Sequence, residues 1–387
     1  IFRQAELLRG KLANATDAIE RLEAALAIDV DERATSELER LYTAESRHQD
    51  LVSLYERMLE AEKDSAKNAA LRVKIAKTAR LELDDSARAF DELAEALSTD
   101  SGNHEAIAEL ERILGADAPE DSEAKPASPE DRARAGEMLE PIYLRQGEWK
   151  KVKNARNARL EGSQDPSERI ELLKLLATLE EEQLENFPAA MDATARLLHE
   201  DISDRSVWSE LERLARASSA EKKLGEIYAS ELLKVDSDDE TTAELAKRAG
   251  QIFADVSEVE SALKWYRRAH AFEPESEELF EAIERLLVKE GRHEERVALM
   301  RAALAYRDGS RKLALNHTIG DLEESKLDRK DAAIETYRAA LDTDTVDERS
   351  LDRLTVLYKD LGRNKDLADL YERRIDAAET AEKAAPF

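Results

Sequence analysis

Six histidines are the first residues to examine for chemistry, because imidazole can ligate a metal or move a proton near neutral pH. They stand at positions 48, 104, 199, 270, 293 and 317, and none has a second histidine at the i+3, i+4 or i+5 spacing of a helical metal site. Surface and helix-end roles are expected for all six, with His270 near a helix end where a cation favours the dipole. The chain has no cysteine, which removes disulfides, thiolate ligands and thiol nucleophiles together. It carries no glycine-rich phosphate loop, nucleophile elbow or kinase signature. Paired carboxylates are so frequent, as in LEEEQLEN, that they hold no catalytic information. No catalytic residue, cofactor or metal ion is expected, and the chain does not read as an enzyme.

What the sequence does concentrate is charge. Its 87 acidic residues face 59 basic ones, a formal net charge of -28. That balance argues against nucleic acid or an anionic membrane as partner and favours a basic protein, although most of the carboxylates are expected to solvate helix faces. Against this background EWKKVKNARNARLEG, residues 148 to 162, gathers Lys150, Lys151, Lys153, Arg156 and Arg159 within ten positions. The stretch reads either as a set of internal ion pairs or as an open basic patch for an acidic partner or a second copy of the chain.

The elements that must position these residues are helices. The composition is 42% hydrophobic, 5% aromatic and 38% charged, with only 12 glycines and 8 prolines, so strong helix formers dominate and breakers are few. No apolar run approaches the roughly 20 residues that cross a bilayer, and no signal-like segment opens the chain. A soluble, cytoplasmic protein is expected, and the abundance of Ala and Arg hints at a bacterial source. The chain opens at Ile1 in apparent mid-helix, which leaves room for a targeting signal upstream.

Internal periodicity organises the helices. AIERLEAALAID, AFDELAEALSTD, AMDATARLLHED, ALKWYRRAHAFEP and AIETYRAALDTD share a form, with matching acids at Asp29, Asp100, Asp201, Glu273 and Asp344, in steps of 71, 101, 72 and 71 residues. A second set, LVSLYERML, VKNARNARL, LGEIYASEL, RVALMRAAL and LADLYERRI, interleaves with steps of 101, 72, 72 and 71. Two unlike half-units of about 35 residues therefore alternate, each with room for two helices and two short turns. Small or apolar residues recur at i, i+4 and i+7, as in Ala18, Leu22, Ala25 and Ala262, Tyr266, Ala269, and such stripes are buried only when neighbouring hairpins stack.

The stretch 243 to 276 resembles a tetratricopeptide repeat: Gly250, Phe253, Ala262, Tyr266, Ala269 and Pro274 stand at that motif's small, aromatic and proline positions. Gly291 and Gly362 fall where the family turns between its two helices, and the YER of LYERML and LYERRI is similar to the half-a-tetratricopeptide variant. The resemblance implies an all-α fold, a solenoid of antiparallel helical hairpins with about 20 helices, and a protein-binding role. It also implies that the first helix of a unit lines a concave groove, which puts Glu244, Lys247, Arg248, Gln251 and Asp255 on that wall. The family's clamp for chaperone tails needs asparagines where this chain has Gln251, Ala282 and Arg285, so chaperone-tail binding is not expected.

The step of 101 marks an insertion of about 30 residues. LERIL at 110 to 114 and LEPIY at 139 to 143 both resemble LERLY at 38 to 42, so the extra material reads as one helix plus the linker GADAPEDSEAKPASPED. The organisation expected is repeats over 1–115 with the first one truncated, an acidic linker over 116–131, and repeats over 132–387. Further repeats are expected to precede Ile1. Arg156 takes the stripe position held elsewhere by Tyr55, Tyr228, Met300 and Tyr371, and a buried guanidinium must be paired. Glu137, Glu140, Asp121 and Glu123 are its candidate partners. Of the tryptophans, Trp265 is expected to face partly outward, and Trp149, beside the basic stretch, is the better candidate for contact with a ligand.

The function expected is a noncatalytic scaffold that binds a partner protein, within a larger assembly or a longer chain. Trp149, Lys150, Lys151, Lys153, Arg156, Lys247, Arg248 and Gln251 are the candidate contacts. The alternatives are structural self-association through the irregular region, or the regulatory arm of an enzyme whose catalytic domain lies elsewhere.

Overall fold

The computed structural model describes residues 15–26, 32–115 and 127–384, and the chain folds as two compact units, Ile1–Glu200 and Asp201–Phe387. The described residues hold helices and no strand, in the all-α class that the composition predicts and the solenoid arrangement that the periodicity and the resemblance imply. The linker residues 116–126 and the truncated opening, residues 1–14, lie outside the described residues.

In the first unit α1 spans Ala15–Leu26, α2 Glu32–Ala44, α3 His48–Ala61, α4 Ser65–Glu82 and α5 Ser86–Thr99. Helices α6 (His104–Leu114), α7 (Pro129–Gln146), α8 (Trp149–Gly162), α9 (Pro166–Glu182) and α10 (Phe187–Glu200) follow. The extra helix is α6. It packs on α7 across the linker, and Leu110 and Ile113 share one core with Leu139 and Tyr143.

The second unit runs α11 (Arg205–Ser218), α12 (Glu221–Lys234), α13 (Glu240–Asp255), α14 (Val259–Phe272) and α15 (Glu277–Lys289). It continues with α16 (His293–Ala303), α17 (Gly309–Ser325), α18 (Lys330–Thr343), α19 (Glu348–Asp360) and α20 (Asn364–Ala384). Within the unit each helix packs on the next, and connections this short make sequential neighbours antiparallel. Stripe residues Ala18, Leu22, Ala262, Tyr266 and Ala269 are buried and Ala25 is half-buried.

A left-handed residue closes each tight turn. Ser46, Gly147, Ser219, Gly291 and Gly362 form one class and Asp84, Glu185, Ser257 and Asp328 the other, with φ between 50 and 71°. Their steps reproduce the sequence periods, 101, 72, 72 and 71 in the first class and 101, 72 and 71 in the second. In the first class the next N–H donates to the carbonyl five residues back, as Arg292 does to Leu287 at 2.9 Å and Arg363 to Tyr358 at 2.9 Å. That bond satisfies a carbonyl the helix end leaves open and offsets the steric cost of a side chain at positive φ.

In the second unit these turns also fix a register of charge. The third residue after one turn pairs with the first residue after the next: Lys222 with Glu258 at 2.7 Å, Glu260 with Arg292 at 2.5 Å, Glu294 with Arg329 at 2.6 Å, and Asp331 with Arg363. Four rungs thus run along the turn edge of consecutive hairpins.

Three sequence expectations are corrected. Trp265 does not face outward: it is 2% exposed, with Lys264 4.7 Å above its ring. Burial and the nearby Arg307 guanidinium hold His270 below the ordinary histidine range, so it is neutral at pH 7 and does not serve the helix dipole as a cation. His317 also departs from a surface role: it is half-buried in mid-helix, and its Nε2 lies 2.7 Å from Asp347.

Candidate partner-binding surfaces

The basic stretch forms the front of α8, and the helices around it meet most of its charge. Gly136 lets α7 approach closely, since a Cβ there would lie 2.6 Å from the Ala155 carbonyl oxygen. The close packing sets Glu140 of α7 against α8. Arg156 Nε donates to Glu140 at 2.7 Å and its Nη1 to the Leu175 carbonyl at 2.8 Å, while Arg159 reaches the other Glu140 oxygen at 2.6 Å. Arg156 is 7% exposed, so it replaces the tyrosine of its sister repeats as one half of a buried ion pair.

Lys151 pairs with Glu111 of α6 at 2.8 Å, and Lys153 with the buried Glu180 of α9 at 2.5 Å. Glu111 is pulled below the usual carboxylate range: burial opposes this, but hydrogen bonds from Lys151 and Tyr143 prevail. Of the candidate partners for Arg156, Glu140 is the one that binds it, while Asp121 and Glu123 lie outside the described residues. Trp149 is half-buried against the core of the first unit, and Lys150 is exposed with no ion pair among the described residues.

The second candidate surface lies on the first helices of the second unit. Helix α13 begins at a reciprocal cap in which the Asp239 side chain accepts from the Thr242 N–H at 2.8 Å and the Thr242 hydroxyl accepts from the Asp239 N–H at 2.9 Å. A Cβ on Gly250 would lie 2.7 Å from the Tyr266 ring, so the glycine is what allows that ring to pack against α13. The phenol then reaches along the helix, and Tyr266 donates to Gln251 Oε1 at 2.9 Å. The same device recurs one period later, where Tyr337 packs on Gly320 and donates to Asp321 at 2.6 Å.

Between α13 and α15 lies a cavity of about 470 Å³, lined by Glu244, Lys247, Arg248, Gln251, Tyr266, Glu278, Leu279, Glu281, Ala282 and Arg285. The structure brings together Lys247, Arg248 and Gln251, three of the sequence-predicted contacts, whereas Asp255 accepts from Gln251 at 2.7 Å from outside the lining. Most of the rim charge is already engaged: Lys247 pairs with Glu278, Arg248 with Glu212 at 2.5 Å and with Glu244 at 3.2 Å, and Glu244 also with Arg205. The Arg205 hydrogen bond, with help from Arg248, holds the Glu244 carboxyl below its usual range. Burial pushes the Tyr266 phenol up to about 12, so it stays a neutral donor. Arg285 and Glu281 are exposed and have no ion pair among the described residues.

An apolar floor of Leu279, Ala282 and the Tyr266 ring beneath a few convergent polar groups is the composition of a recognition hollow. Sequence reasoning missed Tyr266, Leu279, Glu278 and Glu281 as lining residues. The signal for Tyr266 was present in the glycine just before Gln251, which marks where an aromatic ring must approach.

Residues 34–69 and 350–385 match the family model described as tetratricopeptide repeat; they contain LYERML and LYERRI. No curated protein matches the chain. Among solved structures, the MamA protein is similar at 16% identity over 46% of this chain and 93% of that one, with a TM-score of 0.27. YrrB, a tetratricopeptide protein with an unusual peptide-binding site, is similar at 16% identity over 52% and 97%, with a TM-score of 0.27. A tetratricopeptide repeat protein from Parabacteroides merdae is similar at 14% identity over 75% and 98%, with a TM-score of 0.21. Over these two stretches the chain carries tetratricopeptide repeats, and the succession of helical pairs closed at the same steps within each unit has the form of a tetratricopeptide-like α-solenoid.

Proposed function

We propose that the chain is a noncatalytic interaction scaffold, which binds a segment of a partner protein in the hollow between α13 and α15. The observation that carries this reading is the hollow itself, with an exposed Arg285 and Gln251 beside a rim fixed by ion pairs. Side chains already held in place, Gln251 among them through Tyr266 and Asp255, lose little freedom when a ligand arrives, and Arg285, with no ion pair among the described residues, supplies a new contact. The family resemblance supports a protein ligand, and the net charge of -28 disfavours nucleic acid. In the stretch 148–159 the internal pairs of Lys151, Lys153 and Arg156 leave Lys150 and the outer side of Trp149 as a minor contact.

The test is affinity capture from a native lysate with three baits: wild type, Arg285→Glu with Gln251→Ala, and Lys150→Glu. Thermal melting and light scattering on each bait establish folding and mass. The reading expects a partner retained by Lys150→Glu and lost, at unchanged melting temperature, with the hollow variant. A partner retained by the hollow variant and lost with Lys150→Glu would move the function to the first unit.

A further inference from the structure

The two edges of the second unit differ in kind. One carries the tight turns and the four charge rungs. The other carries the connections between hairpins, and there each successive connection exposes one large apolar side chain: Leu233 at 63%, Phe272 at 42%, Tyr306 at 47% and Val346 at 53%. None belongs to the buried stripe of its helix. The turn edge also exposes Val288 and Leu361, but among paired charges and without this regularity.

Arginines tie the first three connections together, which makes Leu233, Phe272 and Tyr306 one surface that Val346 extends by one period. Arg268 donates to the Leu232 carbonyl at 2.5 Å and the Val235 carbonyl at 3.1 Å, and pairs with Asp238 at 2.9 Å. One hairpin on, Arg307 donates to the Glu275 carbonyl at 3.2 Å and pairs with Glu277 at 2.6 Å.

Three of the four connections along the row are acidic, while residues 304–310, around Tyr306, hold one acid and one base. Residues 234–240 hold four acids against one base, and 272–278 and 342–348 hold four acids each with no base. Helix capping explains part of this, since Asp239 and Asp347 cap α13 and α19. It does not explain Asp236, Glu273 and Asp342, which stand at the C-terminal ends of α12, α14 and α18, where the helix dipole opposes a carboxylate. These three have no ion pair among the described residues. An apolar row costs solubility, and carboxylates at helix C-termini cost local stability, so neither is a device for folding this unit.

We propose that this edge of the second unit, centred on Leu233, Phe272, Tyr306 and Val346, docks a basic amphipathic helix of a partner protein. The apolar row supplies the area to bury, and the unpaired carboxylates beside it select lysine and arginine on the incoming face. The carboxylates also weigh against a second copy of this chain, because two such edges would bring like charges together. The apolar row shares no side chain with the hollow between α13 and α15; Glu278, paired with Lys247, borders both.

The probe is a fluorescent 18-residue helix of leucine and lysine on opposite faces, with glutamate replacing lysine in the control, read by anisotropy at two salt concentrations. The proposal expects the lysine helix to bind, more weakly at higher salt, and the glutamate helix not to. The combined variant Leu233→Ser, Phe272→Ser, Tyr306→Ser should lower affinity at least tenfold with its circular dichroism melt intact, while Arg285→Glu leaves affinity unchanged. As a second arm, Asp236→Lys with Glu273→Lys and Asp342→Lys should reverse the preference toward the glutamate helix. Equal binding by the serine variant, binding of both helices by wild type, or no binding by wild type would each overturn the proposal. So would a wild-type dimer in sedimentation that the serine variant abolishes, which would make a second copy the occupant.

Discussion

The two units are built from the same repeat but place their charge differently. In the first, Glu109, Glu140, Arg156 and Glu180 are buried and paired across helices, with Arg80 meeting Glu109 at 3.0 Å. In the second, exposed rungs follow the turn edge, and Glu231 and Glu323 are the buried acids among the described residues. The difference follows from the insertion. Helix α6 contributes Glu109, which Arg80 of α4 meets, and Glu111; its partner α7 contributes Glu140, and the basic stretch of α8 is what Glu111 and Glu140 require. In the second unit Tyr228 and Met300 fill the buried stripe position that Arg156 takes in the first, Tyr371 is exposed, and most of the paired charge lies at the edges.

Breaking a buried pair should therefore have the largest effect. Replacing Arg156 with alanine leaves Glu140 buried with Arg159 alone, and the expected loss is about 3 kcal/mol, measured by urea unfolding. Replacing Arg156 with leucine together with Glu140→Leu should recover most of that loss, because a well-packed apolar pair needs no partner charge. A loss below about 1 kcal/mol for the alanine variant would mean that the buried network of the first unit is no more costly to break than a surface pair.

Gly250 sharpens the comparison from the other side. Alanine there places a Cβ 2.7 Å from the Tyr266 ring, so a loss of about 1–3 kcal/mol is expected in a unit with few buried charges. Because the Tyr266 hydroxyl holds Gln251, the same substitution should weaken ligand binding in the hollow by more than its effect on the fold. The smallest effect belongs to the rungs. Removing one, as in Glu294→Gln, should cost under about 1 kcal/mol and should shrink as salt is raised, whereas the Arg156→Ala loss should persist. A rung whose contribution survives high salt would erase the distinction between the two units.

Much of the fold was legible in the sequence because helical hairpins impose short-range rules. The steps between repeats predicted the turns, and the i, i+4, i+7 stripe predicted the core. The same stripe flagged Arg156 as an exception, and its partner Glu140 was among the four candidates. The hollow was legible at Lys247, Arg248 and Gln251, through a resemblance to a family. What was not legible depends on contacts between hairpins. Whether Lys151 is free or paired depends on Glu111, 40 positions earlier, and on how an inserted helix lies against α7. Trp265 follows the same logic: one position off its stripe it looks outward, yet it is buried, with Lys264 and Arg268 over its ring. The rungs join residues 32 to 36 positions apart, so only the three-dimensional register of the turns reveals them.

The polarity of those rungs gives the second unit an address system for splicing. Three of the four rungs run from an acid to an arginine, and the first, Lys222 with Glu258, runs the opposite way. Excising residues 292–362 would join Gly291 to Arg363 and bring Glu260 against that arginine, an attractive rung much like the one removed. Excising residues 258–328 also deletes one period, but it would bring Lys222 against Arg329. Two cuts of equal length through similar helices would thus give one shortened array with matched edges and one with a repulsive seam. The repeat is modular in its backbone and directional in its charge, so which module is interchangeable is decided at the edge and not in the core.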